Sequence, residues 1–320
     1  MDQTLRPTSP APKASSDQDF EVGLVSLNQW QIAWRRFKKH RLAVFGSLLF
    51  LTIVLIAIIG PFFFPYNFYN IAPPQSTCPG IPGSLASSGC PPSLEHPFGT
   101  TGGLQRDVLV IVVNGARISL LIGVGAALLS AIIGATVGGV AGYFGGWVDN
   151  LLMRVVDVLL SLPLLFVILV VSKFLGGGNW VVIILVFAAL GWPGQARLVR
   201  SLFLTLRNEV FVEAARAAGV GSRRIIFRHI LPNALSPLIV STTLAVASII
   251  VTEAFVSFLG FGVDPTQPTW GNALNGAVRF IPNGNWWWPF FPGMAIVLTV
   301  LGINFMGDGL RDALDPRSRV

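Results

Sequence analysis

Five long stretches of this chain contain no charged residue, and each is long enough to cross a lipid bilayer. They cover residues 42–64, 118–148, 174–196, 230–252 and 281–307. A transmembrane helix needs about 20 apolar residues, and inside lipid a helix satisfies its own backbone hydrogen bonds. A sixth stretch, 155–175, carries charges only near its ends, at Asp157 and Lys173. The sequence therefore predicts an all-α integral membrane bundle of six transmembrane helices.

The basic residues are unevenly distributed, which predicts the direction of the spans. Of the 22 Lys and Arg residues, 18 lie in segments that an inside N-terminus would place in the cytoplasm: 1–41, 149–154, 197–229 and 308–320. Cytoplasmic segments collect Lys and Arg, so both termini are predicted to be cytoplasmic. This bias explains the net charge of +7 without a nucleic-acid partner, because no soluble domain with a basic face is predicted.

The chain divides into a short N-terminal region and one membrane domain. Residues 1–26 are rich in Ser, Pro and Asp, which is typical of a disordered tail. Residues 27–41 mix helically spaced apolar side chains with basic ones, which predicts an amphipathic helix on the inner lipid surface. A simple stop-signal charge cluster is the alternative. Residues 42–320 form the six-span domain, with an outer loop over 65–105 and a polar cytoplasmic loop over 205–232.

Both cysteines of the chain, Cys78 and Cys90, lie in the predicted outer loop. On the oxidising side of a membrane they can form a disulfide; two free thiols are the alternative. No metal site is predicted there, because His96 is the only nearby histidine and no CxxC spacing occurs.

The loop over 205–232 places a concentration of charge between two apolar stretches. Its first half has a helical pattern, with Glu213 and Arg216 on one face. A neighbouring face carries only alanines and a glycine, which allows another surface to come close. Gly219 permits the helix to end and turn, and Ser222 is placed to cap a second short helix. This pattern indicates a docking segment on the membrane surface.

Several motifs of this chain, in order, resemble those of a known transporter family. The docking segment reads Glu-Ala-Ala at 213–215, then glycine at 219 and Ile-Leu-Pro at 230–232, and it resembles the EAA loop of ABC-importer permeases. The likeness extends from about residue 30 to the C-terminus and fits the C-type subunit of the dipeptide/oligopeptide/nickel branch. Further matching motifs lie at 96–100, 106–109, 115–120, 256–262, 268–271 and 307–317.

The resemblance implies a permease subunit in the inner membrane of a prokaryote that translocates small solutes, most directly di- and oligopeptides. The implied partners are a second homologous permease subunit, two ATP-binding subunits on the cytoplasmic face and an extracytoplasmic substrate-binding protein. ATP and Mg²⁺ belong to the ATP-binding subunits, so this chain is expected to be no enzyme and to hold no cofactor. The helix over 211–221 is the implied lever that seats in the ATPase. Its expected coupling residues are Phe211, Glu213, Ala214, Ala215, Arg216 and Gly219.

One segment departs from the pattern of that family. After the His-Pro motif the family usually has Thr-Asp and then Gly-Arg-Asp. This chain has Thr101 in place of the aspartate and Gln105 in place of the glycine, and the stretch is one residue longer.

Two features inside the predicted spans bear on packing and on the transport path. Glu253 is an ionisable residue at membrane depth, and such residues usually face a bundle interior or an aqueous cavity. It is a weak candidate for the substrate pathway; a carboxylate that bonds to its neighbours is the alternative.

Glycines at 134, 138 and 142 favour close helix packing, either within the chain or between two chains.

Proline and tryptophan residues mark two further features. Pro163 and Pro193 interrupt the helical pattern of their spans and predict kinks. Trp286, Trp287 and Trp288 suit the aromatic belt at the outer membrane surface, with contact to an external binding protein as the alternative.

Missing motifs narrow the function further. No lysine follows a glycine, so the chain lacks a Walker A loop and is not predicted to hydrolyse ATP. Metalloprotease and nucleophile-elbow motifs are also absent, and the three histidines are far apart, so no catalytic or metal site is predicted. An ion-coupled secondary transporter is the main alternative, but it normally places carboxylates or histidines at mid-membrane. Nickel chelates or another small solute remain alternatives to peptides.

Overall fold

Helices dominate the computed structural model, which describes residues 29–66, 89–175 and 178–315. In chain order they are α1 (Gln29–Lys39), α2 (Arg41–Phe63), α3 (Val108–Phe144), α4 (Gly146–Ser161), α5 (Leu164–Phe174), α6 (Trp180–Leu206), α7 (Val210–Ala217), α8 (Ser222–Arg224), α9 (Leu231–Phe258), α10 (Trp270–Ala277) and α11 (Trp287–Leu314). A π-helical segment, Ile225–Ile230, joins α8 to α9, and a 3-10 segment, Val278–Asn283, follows α10. The predicted all-α bundle is confirmed.

Among the described residues, five helical stretches are long and apolar enough to cross a membrane. They are α2, α3, α6, α11 and the stretch Ser222–Phe258, which runs from α8 through α9. α4 and α5 pass the same test only as a pair, and their axes meet at 89°. The predicted six spans are therefore reached when this bent pair counts as one.

The bend between α4 and α5 has a local cause at Pro163. Leu162, the residue before the proline, has an extended backbone with ψ 141°, because the proline ring disfavours helical geometry there. Pro163 then stands at the N-cap of α5, where its missing N–H costs no hydrogen bond. The sequence predicted a kink inside a span over 155–175, whereas the bent pair already begins at Gly146.

α3 lies at the centre of the bundle and contacts α2, α6 and α9. Its contact with α6 depends on the glycines at 134, 138 and 142. A Cβ atom at Gly138 would lie only 2.2 Å from the carbonyl oxygen of Ala196, and one at Gly142 would lie 2.6 Å from Cβ of Phe203. The glycine spacing therefore serves packing within the chain, one of the two readings that the sequence left open.

Trp286, Trp287 and Trp288 do not form one membrane belt. Only Trp286 is exposed, whereas Trp287 and Trp288 are buried in a cluster with Val108 and Ala277. The indole N–H of Trp287 also donates to the carbonyl oxygen of Thr100 at 3.1 Å. The start of α11 is thus built into the bundle, at the end that holds α10.

The segment that departs from the family pattern forms a closed turn before α3. Thr101 N–H donates to the Arg106 carbonyl oxygen at 2.8 Å, and Asp107 accepts from Leu109 N–H at 2.7 Å as the N-cap of α3. Gln105, which stands where the family has glycine, has φ +50°. Among the described residues no other non-glycine has a positive φ.

Two ionisable groups outside the spans have displaced pKa values. The hydroxyl and the backbone N–H of Thr266 donate to Asp264 at 2.6 and 2.8 Å, and these bonds lower the pKa of that carboxyl. Burial raises the pKa of Tyr66, against the opposing effect of Arg106. At neutral pH Asp264 is therefore a carboxylate that fixes the turn between α9 and α10.

The N-terminal helix α1 lies within the predicted segment 27–41 and packs on the end of α11. Ala33 and Phe37 are buried with Ala43 and Ala313. His40 separates α1 from α2, and its Nδ1 accepts from Ala43 N–H at 3.1 Å as the α2 N-cap. The predicted tail over 1–26 lies outside the described residues.

Candidate coupling site

The predicted docking segment begins directly at the end of α6. Asn208 N–H donates to Thr205 O at 3.3 Å and Glu209 N–H to Leu206 O at 3.2 Å, so tight turns lead straight into α7. α7 covers Val210–Ala217, which starts one residue earlier and ends four residues earlier than the helix predicted over 211–221. This short connection ties the position of α7 to the last turn of α6.

Gly219 ends α7 in the way that the sequence predicted. Its φ is +78°, a left-handed conformation that glycine adopts without a Cβ penalty. Gly219 N–H donates to Arg216 O at 3.0 Å, and Val220 N–H donates to Ala215 O at 3.0 Å. These two bonds are those of a Schellman motif. A Cβ on Gly219 would meet no atom within 4 Å, so the backbone conformation and not the space calls for glycine.

α7 is held by one fully buried side chain. Val212 has no exposed surface and packs in a cluster with residues of four other elements, including Ala131 of α3. Phe203 of α6, Ile225 of the π segment and Leu238 of α9 belong to this cluster. Val212 therefore anchors α7 in a cluster that also contains side chains of α6 and α9, which are both span helices.

The remaining surface of α7 is largely open. Phe211, Glu213, Ala214, Arg216 and Gly219 are exposed. Within the described part of the chain, the charged groups of Glu213 and Arg216 take part in no ion pair. Five of the six predicted coupling residues therefore face outward and are available to a partner.

Ala215 differs from the other predicted coupling residues. It is half-buried and packs against the Val212 cluster. Its small size thus serves the seating of α7 on its own bundle, whereas Ala214 lies on the outward face. The sequence placed both alanines on the docking surface because helical spacing alone does not show which side faces the bundle.

The second half of the loop differs from the predicted short capped helix. Ser222 is the first residue of α8 and its side chain makes no cap bond; Gly221 occupies the N-cap position, and its carbonyl accepts from Arg224 N–H at 2.9 Å. From Ser222 the helix continues through the π segment into α9 without a break. A displacement of the loop would therefore be transmitted directly to the span that contains α9.

An open groove of about 880 Å³ lies beside the start of this helix. Its lining residues are Gly221, Ser222, Arg223, Arg224, Phe227 and Arg228. The arginines give the groove a positive charge, and Phe227 is 62% exposed. An open basic surface with one exposed aromatic side chain suits an acidic protein surface.

Arginines of α6 bond to the corner between α3 and α4. Arg200 forms a two-pronged ion pair with Asp149, in which Nη2 lies 2.6 Å from Oδ2 and Nε contacts Oδ1. Arg207 Nη1 donates to the carbonyl oxygen of Gly142 at 3.0 Å. We call these contacts the arginine clamp. The clamp fixes the last turns of α6, which lead into α7, to the end of α3.

Sequence reasoning missed the arginine clamp. The arginines at the end of α6 were interpreted only as a signal of orientation, and the partners in the clamp lie 51 and 65 residues away in the chain. A pattern was nonetheless present. Asp149 and Asp157 are spaced eight residues apart on α4, and Arg197 and Arg200 are spaced three apart on α6, so each pair falls close to one helix face.

Glu253 is buried inside this chain and does not line an open path on its surface. Its carboxylate has no exposed area and accepts from the Ser257 hydroxyl at 2.8 Å and the Ser119 hydroxyl at 3.1 Å. The backbone N–H of Trp270 donates in turn to Ser119 Oγ at 3.4 Å. The structure thus matches the alternative that the sequence left open, because hydroxyls of α3 and α9 satisfy the carboxylate.

The other predicted site residues are placed as follows. Cys90 is disulfide-bonded, and Cys78 lies outside the described residues. Among the residues that the structure describes, no group of His, Cys, Asp and Glu is arranged to hold a metal ion.

Two family models match the chain. Residues 134–320 match the binding-protein-dependent transport system inner membrane component, and residues 28–79 match the N-terminal transmembrane domain of oligopeptide transport permease C. The first match covers α7, the basic groove and the arginine clamp, as well as Glu253.

Curated relatives are similar over almost their whole length. The dipeptide transport system permease protein DppC of Bacillus subtilis is 41% identical over 294 residues, which are 92% of this chain and 88% of that protein. The oligopeptide transport system permease protein OppC of the same organism is 38% identical, with 96% of each chain covered. OppC of Haemophilus influenzae is also 38% identical, over 95% of this chain and 94% of that protein.

Proposed function

This chain belongs to the family of binding-protein-dependent transport system inner membrane components, and on that premise we propose that it is the C-type permease subunit of an ABC importer for short peptides. The names of the relatives, dipeptide and oligopeptide transport permeases, support peptides over nickel chelates or other small solutes. As a permease the chain is a conduit in the membrane and not an enzyme. The energy for uptake comes from partner subunits that bind ATP and Mg²⁺.

The proposed assembly has three kinds of partner. A second permease subunit of similar fold completes the path, two ATP-binding subunits bind the cytoplasmic face with one of them docked on α7, and an extracytoplasmic protein delivers the peptide. The excess of Lys and Arg at the end of the bundle that holds α7 supports a cytoplasmic position for that end and for both termini.

The burial pattern of α7 is the observation that carries the proposal. A loop helix that served only as a connection would need neither an open face nor a joint to two spans. α7 instead exposes Phe211, Glu213 and Ala214 while Val212 anchors it in a cluster that includes side chains of α6 and α9. A partner that grips the open face therefore moves the spans through Val212. Such rigid-body switching is a known form of conformational change.

The arginine clamp extends the transmission of motion from α7 to a further part of the bundle. When α7 moves, the end of α6 moves with it, and Arg200 and Arg207 carry the motion to the corner between α3 and α4. α3 is the central helix, so the displacement reaches the helices that surround it.

Substitution of Ala214 tests the proposal. Ala214→Trp adds a large side chain to the open face of α7 without touching the Val212 cluster, so it should block the ATPase contact and leave the bundle folded. A contact worth about 1.4 kcal/mol corresponds to about tenfold weaker assembly. We expect a fall of that order or more in the recovery of the ATP-binding subunits and in ATP-driven peptide uptake by proteoliposomes.

Thr205→Trp is the matched control, since Thr205 is exposed in the last turn of α6 and lies outside α7. It should assemble and transport like the unmodified chain. Normal assembly and uptake of the Ala214→Trp variant would refute α7 as the coupling helix.

A further inference from the structure

Helix α1 has two different sides, and the described residues cover only one of them. Ala33 and Phe37 pack against α11, and Arg36 donates from Nη1 to the Asp315 carbonyl oxygen at 3.0 Å. A Cβ on Gly309 of α11 would lie 3.3 Å from the Phe37 ring, which shows how closely the two helices approach. The protein-facing side of α1 is therefore fully occupied.

The other side of α1 exposes an aromatic ring among basic groups. Trp34 is 58% exposed, and the Lys38 ammonium lies 5.0 Å from the centre of its ring. Arg35 and Lys39 are exposed on the same side. In the part of the chain that the structure describes, neither of them pairs with a carboxylate. We call Trp34, Arg35, Lys38 and Lys39 the basic face.

The position of α1 brings the basic face to a lipid surface. A single residue, His40, separates α1 from the span helix α2, so α1 lies at the edge of the bilayer. α1 contains four basic residues and no acidic residue, so its net charge is positive. A ring that enters the headgroup boundary beside cations that stay in water is the arrangement of an interfacial helix.

We propose that the basic face binds the headgroups of anionic phospholipids in the inner leaflet. The Arg35 guanidinium and the Lys38 ammonium attract the net negative charge of the headgroup, which a zwitterionic headgroup lacks, and the Trp34 ring lies at the boundary of the acyl chains. The charges are complementary, since the inner leaflet of a membrane attracts Lys and Arg next to a span. The inference does not depend on which solute the permease carries.

The contact with α11 gives this lipid site a route into the bundle. α1 cannot change its depth in the headgroup layer without moving Phe37, which packs against α11. α11 in turn packs on α2 and α9. A change in the depth of α1 would therefore be transmitted to α11 and through it to α2 and α9.

Lipid counting on the purified complex tests the proposal. The complex in detergent is titrated with phosphatidylglycerol or phosphatidylcholine, and bound lipids are counted by native mass spectrometry. A basic residue at a lipid surface contributes about fivefold to binding. Arg35→Gln and Lys38→Gln should each weaken phosphatidylglycerol binding about fivefold and leave phosphatidylcholine binding unchanged.

Arg36→Gln is the matched control, because it removes the same charge from the same helix but from a group that bonds to Asp315 O. It should change phosphatidylglycerol binding by less than about twofold. Equal binding in all three variants, or equal loss for both lipids, overturns the proposal. Loss of the ATP-binding subunits in the Lys38→Gln variant with unchanged phosphatidylglycerol binding assigns the face to a protein and also overturns it. Lipid counting requires no transport, so it stands apart from the test of the peptide importer.

Discussion

At the scale of single residues, Gly219 shows that backbone conformation can decide a position where packing does not. The space around it is open, so any substitution is penalised only by its φ of +78°. The left-handed conformation costs an ordinary residue about 1–2 kcal/mol. Asn adopts it several times more often than other non-glycine residues.

This difference predicts opposite results for two substitutions of Gly219. Gly219→Asn should keep the Schellman turn and most of the ATP-driven uptake. Gly219→Val should shift the end of α7 away from its docking position, and about 1.4 kcal/mol of strain corresponds to about tenfold less of the competent form. Uptake rates in proteoliposomes that contain the full complex measure both. Equal rates for the two variants would show that the turn is not required.

For Gln105 and Glu253, the sequence alone does not reveal the conformation or the hydrogen-bond partners that the structure shows. The sequence reveals that Gln105 replaces a glycine, but its φ of +50° follows from a turn that Thr101 and Arg106 close. Glu253 was placed near the path because its charge was visible, whereas the hydroxyls that satisfy it lie on another helix or a turn away. Both outcomes depend on tertiary neighbours, which no local pattern contains.

At the scale of helices, the arginine clamp and a second pair between α4 and α6 form a natural comparison. The Arg200–Asp149 pair is half-buried, with the Asp149 side chain 11% exposed. The Arg197–Asp157 pair joins the same two helices at 2.5 Å, but its side chains are 53% and 57% exposed. Burial raises the cost of leaving one partner unpaired, so the two pairs should differ in importance.

Asp149→Asn should therefore destabilise the corner between α3 and α4 by about 1–3 kcal/mol. Asp157→Asn is the matched control and should cost no more than about 1 kcal/mol. Thermal unfolding of the purified complex measures stability, and peptide taken up per ATP hydrolysed measures coupling. We expect both to fall in Asp149→Asn and neither to change much in Asp157→Asn. A larger loss of stability and coupling in Asp157→Asn than in Asp149→Asn would show that the arginine clamp is not part of the coupling route.

Helix positions were predictable to different degrees. Length and hydropathy identified the spans, because a bilayer requires long apolar helices whatever their neighbours. The kink at Pro163 was predictable from proline chemistry, but its angle of 89° was not. The helix start at Ser222 was predicted, but its continuation into α9 was missed, since Pro232 favoured the start of a separate element.

At the scale of the whole molecule, separate contacts combine into one transmission route. α7 offers an open face at one end of the bundle, the Val212 cluster joins it to α6 and α9, and the clamp extends the joint to α3. α1 and α11 form a second joint at the start and end of the described chain. The central claim is that this chain passes on mechanical work from a partner ATPase and has no energy source of its own.

Reconstitution of the chain with and without its ATP-binding subunits tests that claim most directly. Peptide uptake into proteoliposomes is measured with ATP present, and separately with an imposed proton or sodium gradient. The account predicts uptake only when the full complex and ATP are both present, and no uptake with either gradient. Gradient-driven accumulation of peptide by the chain alone, or ATP hydrolysis by the chain alone, would contradict it.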